Sequence, residues 1–186
     1  MKFFGLIYNH PFNNKNKLNA VMRFVKWQLF SRVYPFPLVY LFKENSKLLV
    51  KNGLTVATGN LYCGLMEYDV MGFLLHFLRP VDVFVGANIG SYSVLASGKI
   101  KALSIAIEPI PNTFKQLSEN ISLNDIHDKV IMMNIGVGGK EGKLMFTNSL
   151  YAENRIALPT ESNTIEIEVS TLDSLVGILN ALLVED

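Results

Sequence analysis

Apolar residues at Leu18, Val21, Met22, Val25 and Leu29 recur at i, i+3, i+4, i+7 and i+11, the spacing of one helical stripe. Pro35 and Pro37 in "YPFP" forbid continuation, so this helix is expected to end before them. "KLLVK" and "LTVAT" flank Asn52-Gly53, a dipeptide that tolerates positive φ, and together they predict a small β-hairpin. A second helical stripe follows at Met66, Val70, Phe73, Leu74 and Phe77, closed by Arg79 and Pro80.

Beyond Pro80 the rhythm changes. "VDVFV" is a short β-branched and aromatic run, "SYSVLAS" starts a helix, "ALSIAIE" is a second buried strand, "PNTFKQLSENISLN" an amphipathic helix and "KVIMMNIGV" a third strand. Strand, helix, strand, helix, strand is the pattern of parallel βαβ units, so the fold class expected is α/β with flanking helices. In the second of these helices Phe114, Leu117 and Ile121 share a face, and Pro111 occupies a first-turn position where its missing N–H has no partner to lose. "GGKEGKLMF" turns into a strand, and "TIEIEV" alternates Ile165, Ile167 and Val169 with Glu166 and Glu168, giving one buried and one wet face. Residues 1–64 read as an extension of helix and hairpin, and 65–186 as the α/β domain.

Composition narrows the function. Seventeen basic against sixteen acidic residues give a net charge of +1 over 186 residues, so no global field argues for nucleic acid or an anionic surface. Cys63 is the single cysteine, which excludes an internal disulfide framework; with no zinc-like spacing, no metal is expected. Cys63 reads as a packed small side chain in a reducing compartment, and the polar interruptions in "MKFFGLIYNHPFNN" argue against a signal peptide; a cytoplasmic location is expected. "FLLHFL" and "LVGILNALLV" fall short of the ~20 residues a membrane helix needs. The "MRFVKWQLFSR" helix is expected to pack on the domain, because its polar face carries few charges.

The chemistry concentrates in "VFVGANIGSYSVLAS". Parallel α/β sheets bind ligands at the carboxyl ends of their strands, where a loop of small residues lets backbone approach a ligand and the following helix offers unpartnered N–H groups. Gly86 and Gly90 sit at such a junction, with Ala87 and Asn88 between them and Ser91 and Tyr92 after. Neither a P-loop nor Gly-x-Gly-x-x-Gly is present. Glu108, 22 residues after Gly86, ends the second strand in "AIEP"; a carboxylate there accepts hydrogen bonds from ribose hydroxyls, and Pro109 shapes that edge. Asn134, ending the third strand, is a candidate for an adenine edge or a turn. For His10, His76 and His127 a structural role is preferred to catalysis, and no catalytic residue is assigned.

In order, "FVGANIGSYSVLAS", "IAIEPIPNTFKQLSENISLN", "NIGVGGKEGKLMF" and "IEVSTLDSL" resemble the FkbM-type methyltransferase family over about Met66 to Leu175. The resemblance implies a Rossmann-like class I methyltransferase fold and S-adenosylmethionine as cofactor. It also implies that Gly86, Ala87, Asn88 and Gly90 surround the methionine part, that Glu108 holds the ribose, and that a methyl group moves to an oxygen of a small-molecule or sugar-like acceptor.

Two departures matter. The family's first strand reads like "VFVDVGANIG", whereas here Val85 meets Gly86 directly and Phe84 holds the acidic position. Asp82 shares its face but lies about 7 Å farther back at ~3.3 Å per residue. The family also continues beyond "TLDSL" into a fourth strand like "IKIDVEG", while this chain ends at "LNALLVED". An incomplete sheet is therefore expected, with an unpaired edge beside the first strand that invites self-association. A noncatalytic, partner-binding remnant of the fold is the alternative reading.

Overall fold

A computed structural model describes residues 2–148 and 154–183, with side chains described for 4–148 and 154–177. In chain order, α1 (Lys2–Asn9) and α2 (Lys17–Val33) precede β1 (Leu38–Leu41) and β2 (Lys47–Val50). Helices α3 (Thr55–Cys63) and α4 (Tyr68–Phe77) lead into β3 (Val83–Val85), and α5 (Ser91–Ser93) continues as a π-helical segment over Val94–Ile100. Then come β4 (Leu103–Ile107), α6 (Pro111–Leu123), β5 (Val130–Met133), β6 (Gly136–Val137), β7 (Gly142–Thr147), β8 (Thr164–Ser170) and α7 (Leu172–Leu183). Met1 and Val184–Asp186, the end of "LNALLVED", lie outside the described residues.

The centre is a parallel sheet in the order β3-β4-β5, registered Val83 to Leu103 and Ser104 to Val130. A second sheet, β6-β8-β7, mixes one parallel and one antiparallel pairing. The expected α/β class is thus present, and the β8 alternation holds: Ile167 and Val169 are buried, Glu166 and Glu168 exposed. Among the described residues, β3 pairs with β4 alone, which leaves its far edge without a strand and Val83 and Val85 exposed. Leu117 and Ile121 of α6 meet Val94, Leu95, Ala106 and Val130 in the main core, with Phe114 partly buried against them. The hairpin joins that core through Phe42 and Leu48, while Ile89 of the glycine loop packs into a second cluster with Trp27, Tyr62 and Cys63.

One expectation needs correction, and two helical stripes face outward. The hairpin lies one strand earlier: β1 pairs β2 across a loop at Lys43–Ser46, closed by Phe42 N–H donating to Ser46 O at 2.8 Å. Asn52-Gly53 does make a turn, with Gly53 at φ 90°, but "LTVAT" then enters α3, since Ala57, Thr58 and Gly59 supply no alternating strand face. The α2 stripe faces away from the chain: Ala20, Trp27 and Ser31 are buried, while Leu18, Met22, Val25 and Leu29 are exposed. Likewise α4 buries Met71 and Leu74 and exposes Val70, Phe73 and Phe77. In both helices the inward side holds residues whose shape or hydrogen bonding fits the neighbour, and the larger apolar stripe remains outside.

Asn120 of α6 couples the hairpin to the loop. Its Oδ1 accepts from Leu49 N–H at 2.8 Å and its Nδ2 donates to Ile89 O at 2.7 Å, in a fully buried position. Removing a side chain that satisfies two buried backbone groups leaves both unpaired, at about 1–3 kcal/mol. Asn120→Ala is therefore expected to lower unfolding free energy by about 2–4 kcal/mol in urea titration; a loss below about 0.5 kcal/mol would show that water replaces both bonds.

Candidate cofactor-binding site

The loop begins where the ladder ends. Gly86 N–H donates to Ile105 O at 3.1 Å, the last bond of the β3–β4 pairing, and the chain then turns through Gly86 (φ 156°), Asn88 (φ 56°) and Gly90 (φ 85°). Gly90 is required twice over: its φ disfavours a side chain, and a Cβ would lie 2.8 Å from Leu117 Cδ1. Gly90 N–H closes the turn on Ala87 O at 3.2 Å, and Val94 N–H donates to Gly90 O at 2.8 Å to start the helix. A Cβ on Gly86 would lie 3.0 Å from Phe84 Cζ, so the Phe84 ring lies directly against the loop.

Glu108, at the tip of β4, is 8% exposed. Its Oε1 accepts from Ile110 N–H at 3.0 Å, and the Asn88 backbone N–H also bonds to its carboxylate, so the two segments read from sequence as one site do meet. Burial pushes its carboxyl above the ordinary value of 4.5, against the two backbone donors that favour the charged form. A carboxylate accepts up to about four hydrogen bonds, which leaves capacity for hydroxyl donors. Asn134 takes the turn role: Nδ2 donates to Glu108 O at 2.7 Å and to Pro109 O at 3.1 Å, clamping the end of β5 to the Glu108–Pro109 turn.

Ser91, 2% exposed, opens α5, and neither its Oγ nor that of Ser93 has a hydrogen-bond partner among the described residues. Buried hydroxyls are nearly always satisfied, so an orphan beside a glycine loop fits a missing polar ligand. Sequence reasoning missed Glu67. The Tyr92 hydroxyl donates to Glu67 Oε2 at 2.5 Å, and the Tyr92 ring stacks on Phe84 with centroids 6.0 Å apart. Burial first, then the Glu67 carboxylate, hold the Tyr92 hydroxyl above its usual range. Glu67 stands at the N-terminal boundary of α4 with no side-chain capping bond to its own helix, and no local sequence pattern signals its reach to Tyr92.

The remaining candidates serve structure. Burial pushes the Cys63 thiol up to about 11, which keeps it protonated. Asp82 Oδ2 accepts from Arg79 N–H at 2.7 Å, a local turn. His10 is buried with Nδ1 accepting from Phe12 N–H at 3.3 Å, His76 packs edge-on against Phe77, and His127 Nε2 lies 3.0 Å from Ser122 Oγ. A cavity of about 30 Å³ touches the loop at Asn88 and Ile89, and a larger one of about 570 Å³ shares its Leu54, Thr113 and Gln116 walls and reaches Ile110.

Part of the chain is similar to known proteins. The chain is 32% identical over 112 residues to the hexuronic acid methyltransferase AglP of Haloferax volcanii, covering 59% of this chain and 45% of AglP. The chain therefore spans about half the length of that curated relative. No known protein-family model matches it. Two Pyrococcus horikoshii structures are similar in part. PH0793 has TM-score 0.40 and 27% identity over 54% of this chain and 36% of that one; TYW2 in complex with MeSAdo has TM-score 0.44 and 23% identity over 63% and 47%.

A carboxyl group whose pKa is higher folded than unfolded binds more protons in the folded state between the two values, so stability falls as pH rises through that window. Urea midpoints of the ligand-free chain should therefore fall as pH rises from 4.5 upward, and Glu108→Gln should flatten that fall. In the same assay Ser91→Ala should be neutral or stabilising, because it deletes an unsatisfied hydroxyl, whereas Gly90→Ala should cost about 1–3 kcal/mol. A marked loss on Ser91→Ala would contradict the orphan assignment.

Proposed function

We propose that this chain forms the nucleoside-binding part of an S-adenosylmethionine-dependent methyltransferase of FkbM type, acting on an oxygen of a small, sugar-like acceptor. The observation that carries the reading is Glu108: a buried carboxylate tied to the glycine loop at the carboxyl ends of adjacent parallel strands, with unused acceptor capacity. Similarity to AglP, whose name specifies a hexuronic acid, supports both the activity and a sugar-like acceptor.

The donor set suits the cofactor. Glu108 would hold the ribose hydroxyls, Pro109 and Ile110 the edge of the nucleoside, and Gly86, Ala87, Asn88 and Gly90 would admit it close to backbone. Ser91 Oγ would find there the partner it lacks. Phe84 stands where the resembled family carries an acid before its glycines; Glu67, held by Tyr92 stacked on that same ring, would serve as the replacement acid. Among the described residues its Oε1 accepts no hydrogen bond. Bound S-adenosylmethionine supplies an electrophilic methyl group on sulfur. The chain's part is to orient the nucleoside and exclude water, which for an in-line transfer supplies much of the catalysis. Asn112, Gln116 and Asn148 line the 570 Å³ cavity and suit a hydroxyl-rich acceptor.

Calorimetric titration with S-adenosylhomocysteine is expected to give micromolar binding, and Glu108→Ala to weaken it at least about tenfold, the equivalent of losing one charged hydrogen bond. Unchanged affinity in the variant would place the nucleoside elsewhere.

A further inference from the structure

The outward stripe of α2 has a specific setting. At about 100° per residue, Leu18, Met22, Val25, Leu29 and Val33 fall within an arc of about 80°. Ala20, Trp27 and Ser31 occupy the opposite, buried side. Leu18 is 73% exposed, Leu29 62% and Val33 85%, and the exposed Tyr34 and Phe36 rings continue the surface past the helix end. Phe4 and Tyr8 of the adjoining α1 are also exposed but sit to one flank, Phe4 against Phe24 and Tyr8 beneath Lys17. Scattered exposed apolar residues are ordinary; a continuous row along a four-turn helix is a binding surface.

The charge around it is one-sided. Residues 1–43 hold seven Lys and Arg and no Asp or Glu, whereas the other 143 hold ten basic and sixteen acidic residues, so the near-neutral total conceals a cationic N-terminal unit. Lys26 and Arg32 flank the stripe on its two sides, both exposed, and Lys17 lies over the Tyr8 ring at 4.3 Å. Among the described residues none of these three forms an ion pair. Arg23 is held differently, donating to Asn13 Oδ1 and Tyr62 O, and so locks α2 to the body with its stripe outward.

From this arrangement we infer that α2 forms a docking surface for an anionic lipid bilayer, lying in the interface with the Leu18–Val33 row among the acyl chains and Lys17, Lys26 and Arg32 at the headgroups. An apolar row bordered by cations and aromatic rings matches each layer of that interface in turn. A second copy would place like cations against one another, and a nucleic acid would leave the apolar row uncovered. No helix among the described residues is long and apolar enough to cross a membrane, so the mode is peripheral. The inference is independent of the proposed methyl transfer.

Flotation of the full chain with vesicles of phosphatidylcholine and phosphatidylglycerol at about 3:1 tests it. Binding is expected, at least about tenfold weaker to pure phosphatidylcholine and severalfold weaker at high salt. Leu18→Glu with Leu29→Glu should abolish binding while leaving the circular dichroism spectrum and melting midpoint unchanged. Lys26→Glu with Arg32→Glu should cut it at least about tenfold, a separate check should the first pair misfold. Failure of the wild-type chain to float, or flotation unaffected by both variants, overturns the proposal. So does a concentration-dependent dimer that the leucine pair dissolves without any vesicle binding, which would assign the row to a second copy.

Discussion

The carboxylate of Glu108 is where the separate parts of this chain are tied together. Pairing fixes β3, β4 and β5 side by side, but it does not by itself fix the loops that follow them. Here one buried carboxylate collects the N–H groups of Asn88, from the β3 loop, and Ile110, from the start of α6, while Asn134 grips the same turn from β5. Desolvation opposes that arrangement and charge-assisted hydrogen bonding favours it. The resulting group is poised to gain from further donors, which is the property a ribose-binding acid needs.

Around that tie, the loop depends on close approach. Gly90 lies where any side chain would strike Leu117, Asn120 hangs the loop's Ile89 carbonyl from α6, and Ile89 itself is buried against Trp27 and Tyr62. The N-terminal helices are thus part of what holds the loop, beyond being a preceding extension. Just before the glycines Phe84 carries the stacked Tyr92 ring, and Tyr92 donates to Glu67 at the N-terminal boundary of α4.

The parallel strands and α6 were legible because a buried strand and an amphipathic helix differ in period, and because Pro111 and the Glu108-Pro109 break mark their junctions. The meeting of Glu108 with the glycine loop was legible for the same reason, since strand ends in a βαβ unit must share one edge. What sequence period does not carry is the medium a stripe faces. The α2 helix packs on the body as expected, yet its apolar row points out, as do Val70, Phe73 and Phe77 of α4, because packing is decided by partners distant in sequence such as Tyr62 with Arg23. Asn52-Gly53 makes the turn its chemistry favours, but a turn specifies a reversal only when strands flank it. The Glu67–Tyr92 contact spans 25 residues and two helices, and no local pattern announces it.

The most direct test is a ¹⁵N-labelled amide spectrum of the full chain titrated with S-adenosylhomocysteine. A nucleoside held by Glu108 and the glycine loop should shift the amides of Asn88, Gly90, Ser91 and Ile110 first and most. Shifts confined to other parts of the molecule, or none from a chain whose spectrum is that of a folded protein, would contradict it.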